Sequence, residues 1–131
     1  MVMHRLLVTG LAGALAGACA SPSVAPATPI AAPTPTGLEG AVLAARADAA
    51  RRTGVAAESL VLVSAESVTW SDGSLGCPQP GMMYTQALVP GYRMRLRGPG
   101  GEMDYHASTR GALVLCPAGR ALDPVPGAAR Y

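Results

Sequence analysis

The chain has 131 residues, half of them apolar, with ten arginines, no lysine and eight acids, for a formal charge of +2. That length holds one domain at most, and so small a charge excludes recognition of nucleic acid through a strongly basic surface. The only long apolar run spans residues 6–18, short of the roughly 20 needed for a helix to cross a bilayer, which excludes a multispan membrane protein.

Met1 to Arg5 is a short basic start, and Leu6 to Ala18 has the length and composition of a signal-peptide apolar region. The run closes with Leu15-Ala16-Gly17-Ala18-Cys19, which resembles the bacterial lipobox. The resemblance implies that residues 1–18 are a lipoprotein signal peptide and that Cys19 is lipidated and becomes the first residue. It places the protein outside the cytoplasm, anchored to the cell membrane. Ala16 stands where that family most often has leucine. Ala16-Gly17-Ala18 also fits ordinary secretory cleavage, so plain secretion is the alternative. If Cys19 carries lipid, Cys77 and Cys116 form an even pair, expected to be a disulfide in an oxidising compartment. Two or three acyl chains on one residue anchor a protein effectively permanently.

Residues 19–36 follow the signal and, after Cys19, are almost entirely Ala, Pro, Ser and Thr, with only Val24 and Ile30 as larger apolar residues, no charge, and prolines at 22, 26, 29, 33 and 35. Such a stretch buries too little apolar surface to fold. It is expected to be a tether, since Pro-rich chains extend by about 3.1 Å per residue.

The folded domain is expected over residues 37–131. Thr36-Gly37-Leu38-Glu39 has the spacing of a capping box, which predicts a helix start. Leu38, Ala41, Val42, Ala45 and Ala49 recur on one stripe, and Gly54 fits the left-handed position after the last turn. Ser59 to Trp70 is rich in β-branched residues and reads as a strand. Val61, Val63 and Ala65 share one face while Val68 and Trp70 fall on the other, which predicts a bulge near Ser64 to Ser67 that keeps both sets inside. Ser71-Asp72-Gly73 then predicts a turn.

Tyr92, Met94 and Leu96 alternate with Arg93, Arg95 and Arg97. After Gly98-Pro99-Gly100-Gly101, Met103, Tyr105 and Ala107 alternate with Glu102, Asp104 and His106. This is a hairpin with period two. Setting Arg97 opposite Glu102 places Arg95 against Asp104, Arg93 against His106, Leu96 against Met103 and Met94 against Tyr105. A one-residue slip would bury every charge, so the register is strongly specified. The opposing carboxylates favour a solvated, neutralised face over an anionic-ligand site, and His106 reads as a surface partner. Ala112 to Cys116 is expected as a short buried strand, and Pro117 and Pro124 to Gly127 as a loose end. The fold class is therefore α+β: one N-terminal helix on a small antiparallel sheet, in the order helix, strand, long loop, meander, with one disulfide.

Candidate chemistry is sparse. His4 leaves with the signal, so a Ser-His-Asp mechanism would need His106 as base. Gly73-Ser74-Leu75-Gly76 lacks the G-x-S-x-G of a nucleophile elbow. Cys77, Cys116 and His106 have no zinc-ligand spacing, and no phosphate or dinucleotide fingerprint is present. No cofactor, metal or nucleic-acid partner is expected.

The run Trp70-Ser71-Asp72-Gly73-Ser74-Leu75-Gly76-Cys77-Pro78-Gln79-Pro80-Gly81-Met82-Met83-Tyr84, with Gln86, Pro90-Gly91-Tyr92 and Tyr105-His106 after it, resembles an uncharacterised domain of secreted and lipid-anchored bacterial proteins. More remotely, a helix ending in Thr-Gly-Val before strands with a Tyr-containing hairpin is similar to the PepSY and cystatin-like modules, which are envelope binding or protease-regulating domains. The functional expectation is a membrane-anchored, non-enzymatic binding or inhibitor module with an envelope protein as partner. Asp72, Leu75, Pro78, Pro80, Met82 and Met83 would form its contact loop, and a disulfide-pinned structural loop is the plainer reading. The alternative is a small envelope hydrolase using His106 with Asp104 or a nearby serine.

Overall fold

The computed structural model describes residues 35–127. The signal region, Cys19 and most of the tether lie outside those residues. Helix α1 spans Gly37–Thr53, followed by one 3-10 turn at Ala57–Ser59. Strands β1 (Val61–Trp70), β2 (Val89–Gly98), β3 (Gly101–Ser108) and β4 (Leu113–Cys116) follow, and pair as an antiparallel meander in chain order.

The small residues of α1 dictate how it packs. Ala45 and Ala49 are fully buried against Leu60, Met94, Leu96, Tyr105 and Ala107, with Leu38, Ala41 and Val42 at the margins. Side chains this short let the helix axis come close to the sheet, and the predicted stripe is the buried one. Gly54 takes the left-handed conformation at φ 74° and donates its N–H to Ala50 O. At the other end Thr36 is the N-cap, but its side chain makes no capping hydrogen bond, so the capping box gives the boundary and not the predicted bonds. Tyr105 fastens helix to sheet by donating its Oη–H to Asp48 Oδ2 at 2.9 Å. Burial, and then Asp48 as acceptor, push the Tyr105 phenol up to about 12.

The hairpin has the expected register at every position from Arg93↔His106 to Arg97↔Glu102, and one further pair, Gly98↔Gly101, narrows the loop to Pro99 and Gly100. The β1 irregularity falls between Leu62 and Ser64, leaving Val63 as the extra residue, one position before the expected window. The outcome corrects the inward set. Val61 and Val63 are exposed, as is Leu62 between them, and of the expected set Ala65 alone, paired with Met94, packs against the helix-side core.

Both faces of the sheet are covered. Opposite the helix, Val68, Trp70 and Leu75 form a second core with Val89 and Val114. Its cover is the long loop after β1, joined to β4 by the Cys77–Cys116 disulfide across 39 residues of chain. Closing a loop of that length restricts the unfolded chain by about 4 kcal/mol in the entropic account. Residues 122–125 lie across the same region. Leu122 N–H donates to Gly76 O at 2.8 Å and Val125 N–H to Thr69 O at 2.9 Å, so this segment is tied down where the proline pattern predicted a loose end.

Candidate functional site

Trp70 organises the second face. The ring is fully buried and stacks on His106 with centroids 4.4 Å apart and planes 21° from parallel. Its Nε1–H donates to Ala107 O at 3.0 Å. Two glycines make room for it. A Cβ on Gly91 would lie 2.0 Å from Ala107 O and 2.7 Å from Trp70 Nε1, and one on Gly76, where φ is +68°, would lie 2.6 Å from Trp70 Cζ3. The spaced motif thus has a physical meaning: Trp70, Gly76, Cys77, Gly91, His106 and Cys116 are brought together as one packed unit.

His106 is fully buried, which corrects its expected place on a solvated face. Its Nδ1 lies 2.6 Å from Leu75 O, and because a carbonyl only accepts, Nδ1 carries the hydrogen. Nε2 faces Asp104 Oδ1 at 3.3 Å. With one nitrogen taken by the loop backbone, the other turned to a carboxylate and the ring under Trp70, neither nitrogen is presented to solvent.

Arg93 is buried as well, another departure from the solvated stripe. Although its Cα partner is His106, its guanidinium reaches diagonally to Asp104, with Nε to Oδ1 at 3.1 Å and Nη2 to Oδ2 at 2.7 Å. Nη1 donates to Asp123 at 2.9 Å. Two-point contact of this kind is among the stronger charged hydrogen-bond geometries. Burial works against the Asp104 charge, but the adjacent His106 and Arg93 outweigh it and hold the carboxyl well below the usual range. Arg95, expected opposite Asp104, is left at 4.0 Å from it and 3.8 Å from Glu102, while Arg97 meets Glu102 at 3.5 Å.

The candidate contact loop divides in two. Its first part turns inward: Asp72 Oδ1 accepts from Ser74 N–H at 2.8 Å, Leu75 is buried at a positive φ of 56°, and Cys77 is in the disulfide. Leu75, expected as a contact residue with no burial partner, packs on Trp70 and is removed from the exposed set. Pro78 is half-buried and Pro80 exposed. The second part turns outward. Met82 N–H donates to Gln79 O at 3.2 Å across Pro80 and Gly81, and Gly81 has φ +76°, the residue order and dihedral of a type II turn. Gln79 N–H donates to Tyr84 Oη at 3.0 Å, closing the turn from outside. Met82 is 60% and Met83 95% exposed on this turn, and Leu88 is 65% exposed farther on.

Sequence reasoning missed the second core. Gly91 was the available signal, because a glycine inside a strand of large residues marks a close approach by another group. Among the described residues no cluster of three or more His, Cys, Asp or Glu has metal-binding geometry, and no helix is long and apolar enough to cross a membrane.

No curated protein and no solved structure matches the chain. Residues 42–116 match a family described as a domain of unknown function, DUF8738, and the match runs from the middle of α1 to the second disulfide cysteine. With more than half of its residues inside that match, the chain belongs to the DUF8738 family.

Proposed function

We propose that this protein is a lipid-anchored, extracytoplasmic binding module whose contact surface is the Pro80–Met83 turn, presented to an envelope protein. The observation that carries the reading is the pairing of an exposed apolar tip with a heavily built support. Met82 and Met83 stand in solvent, while the loop behind them is fixed by Cys77–Cys116, by Leu75 O on His106 and by the Gln79–Tyr84 hydrogen bond. A tip ordered before contact loses little conformational freedom on binding, and methionine adapts its shape to a partner surface. The disulfide suits an oxidising compartment, in keeping with a signal peptide ending at Cys19 and a tether over residues 19–36. The likeness of the Trp70–Tyr84 motif to lipid-anchored envelope proteins supports the same location. The buried His106 leaves the hydrolase alternative without an accessible base.

Two experiments test this reading. Mass spectrometry of the mature protein is expected to find a diacylglyceryl adduct on Cys19 and no free thiol at Cys77 or Cys116. A photo-crosslinking residue at position 83 is expected to give one discrete adduct in intact cells, lost when Met82→Asp is added, with none from position 58. An unmodified Cys19 thiol overturns the anchor, and equal crosslinking from both positions overturns the contact surface.

A further inference from the structure

The arginines of the domain divide by what holds them. Arg51 and Arg52 meet Asp48, Arg93 meets Asp104 and Asp123, and Arg95 and Arg97 meet Glu102. Arg46 donates to the carbonyls of Ala57 and Leu60. Arg110 and Arg120 have no acidic partner among the described residues, and of the two it is Arg110, in the turn between β3 and β4, that lines a cleft of about 490 Å³ whose walls include Leu75, Ala87, Leu88 and Pro90. Backbone hydrogen bonds join residues of the lining to one another: Thr109 N–H donates to Pro90 O at 3.0 Å and Gly73 N–H to Thr85 O at 2.9 Å. Leu88, 65% exposed, forms an apolar wall. Such a volume lies within the roughly 300–1,000 Å³ usual for small-ligand sites.

One guanidinium beside the apolar surface of Leu75, Ala87, Leu88 and Val89 suits an occupant with one negative charge and an aliphatic body. Arg110 is the one cation among the lining residues, set against the roughly two charges of a phosphate, whereas a carboxylate is matched by a single arginine fork. Thr85, Ser108 and Thr109 are also among the lining residues, and polar residues there suit the amide groups of a peptide better than a plain hydrocarbon acid. We propose that this cleft captures the carboxyl terminus of a peptide ending in aliphatic residues, with Arg110 holding the carboxylate and Leu88 covering the last side chain. The proposal names a ligand and a site apart from the Met82–Met83 tip, so either reading can fail while the other stands.

The test is calorimetric titration of the full, oxidised chain with acetyl-Ala-Val-Leu as the free acid, the same peptide as its carboxamide, and decanoate. Saturable binding of the acid is expected, weakened at least about tenfold by amidation and by Arg110→Gln. Arg120→Gln, which changes a cation outside the cleft, leaves binding unchanged. Equal binding of acid and amide, indifference to Arg110→Gln with the fold intact by circular dichroism, or no saturation of the acid up to about 10 mM overturns the site. Decanoate binding in an Arg110-dependent way while the peptide does not bind overturns the peptide as ligand.

Discussion

Trp70 and His106 lie face to face across β1 and β3, 4.4 Å between ring centroids, although β2 runs between their strands. The contact exists because the intervening residue is Gly91. On β2 it pairs with Val68 of β1 and Ser108 of β3, and its missing side chain is the space the indole occupies.

Gly91→Ala should therefore be strongly destabilising. Its methyl would sit 2.0 Å from a backbone carbonyl oxygen, and backbone cannot move aside as a flexible side chain can. A loss of at least about 2 kcal/mol is expected, the scale of overpacking in a tight core. Gly100→Ala is the control, because an added Cβ there meets nothing within 4 Å. Urea unfolding followed by Trp70 fluorescence measures both, and equal midpoints for the two variants would contradict the seat assigned to the indole.

The Cys77–Cys116 bond holds the cover of the same core. Replacing both cysteines by serine is expected to lower stability by about 4 kcal/mol, and Trp70 emission should shift to the red in any population whose loop has lifted. Chemical unfolding of the double variant beside the oxidised protein is the measurement; an unchanged midpoint would mean that Leu75 and the residue 122–125 segment hold the loop without the bond.

Acid should weaken the fold through Asp104. Its folded carboxyl is held below the ordinary value of 3.8, so the contribution is fully present above that value and is lost as pH falls below it towards the folded pKa. Asp48 adds in the same direction, chiefly through its hydrogen bond from Arg52. Asp104→Asn is expected to flatten the decline in stability below about pH 4 while lowering stability at neutral pH, where the Arg93 contact is weakened. Unfolding midpoints across acid pH decide it.

At the alkaline end the sign reverses. Tyr105 prefers its neutral form in the fold, with its phenol raised from 10.0 to about 12. That stability is present below pH 10 and is lost as pH rises through the folded value. An ultraviolet titration of phenolate should show a late component that is absent in Tyr105→Phe. A single transition in both proteins would contradict the Asp48 contact.

What the sequence disclosed followed from redundancy. The β2–β3 register was legible because two independent patterns, charge on one face and apolar bulk on the other, satisfy the same alignment. The α1 stripe was legible because five small or aliphatic residues repeat at helical spacing. The second core was not, because its signals are absences and single residues: a glycine in a strand, one tryptophan, one histidine. The odd parity of Val68 and Trp70 suggests a bulge, yet those residues face away from the helix and have a core of their own. Arg93 and His106 looked solvated because alternation assigns a residue to a face without saying whether a distant loop will cover that face.

Leu75 and Met83 separate support from contact. Leu75 is 5% exposed and Met83 95%, although both lie in the same loop and both are apolar. Leu75→Asp places an unpaired charge against Trp70, and a loss of more than about 3 kcal/mol is expected from the combined loss of packing and burial of charge. Met83→Asp meets only solvent and should alter stability by no more than about 0.5 kcal/mol. The two therefore need different measurements. Leu75→Asp is read by unfolding midpoint, and its effect on any partner is a consequence of a disordered loop. Met83→Asp is read by crosslinking or affinity in a protein whose stability has been shown to be intact. Loss of partner contact in Met83→Asp with an unchanged midpoint supports a functional tip, whereas retained contact assigns the loop a structural role alone.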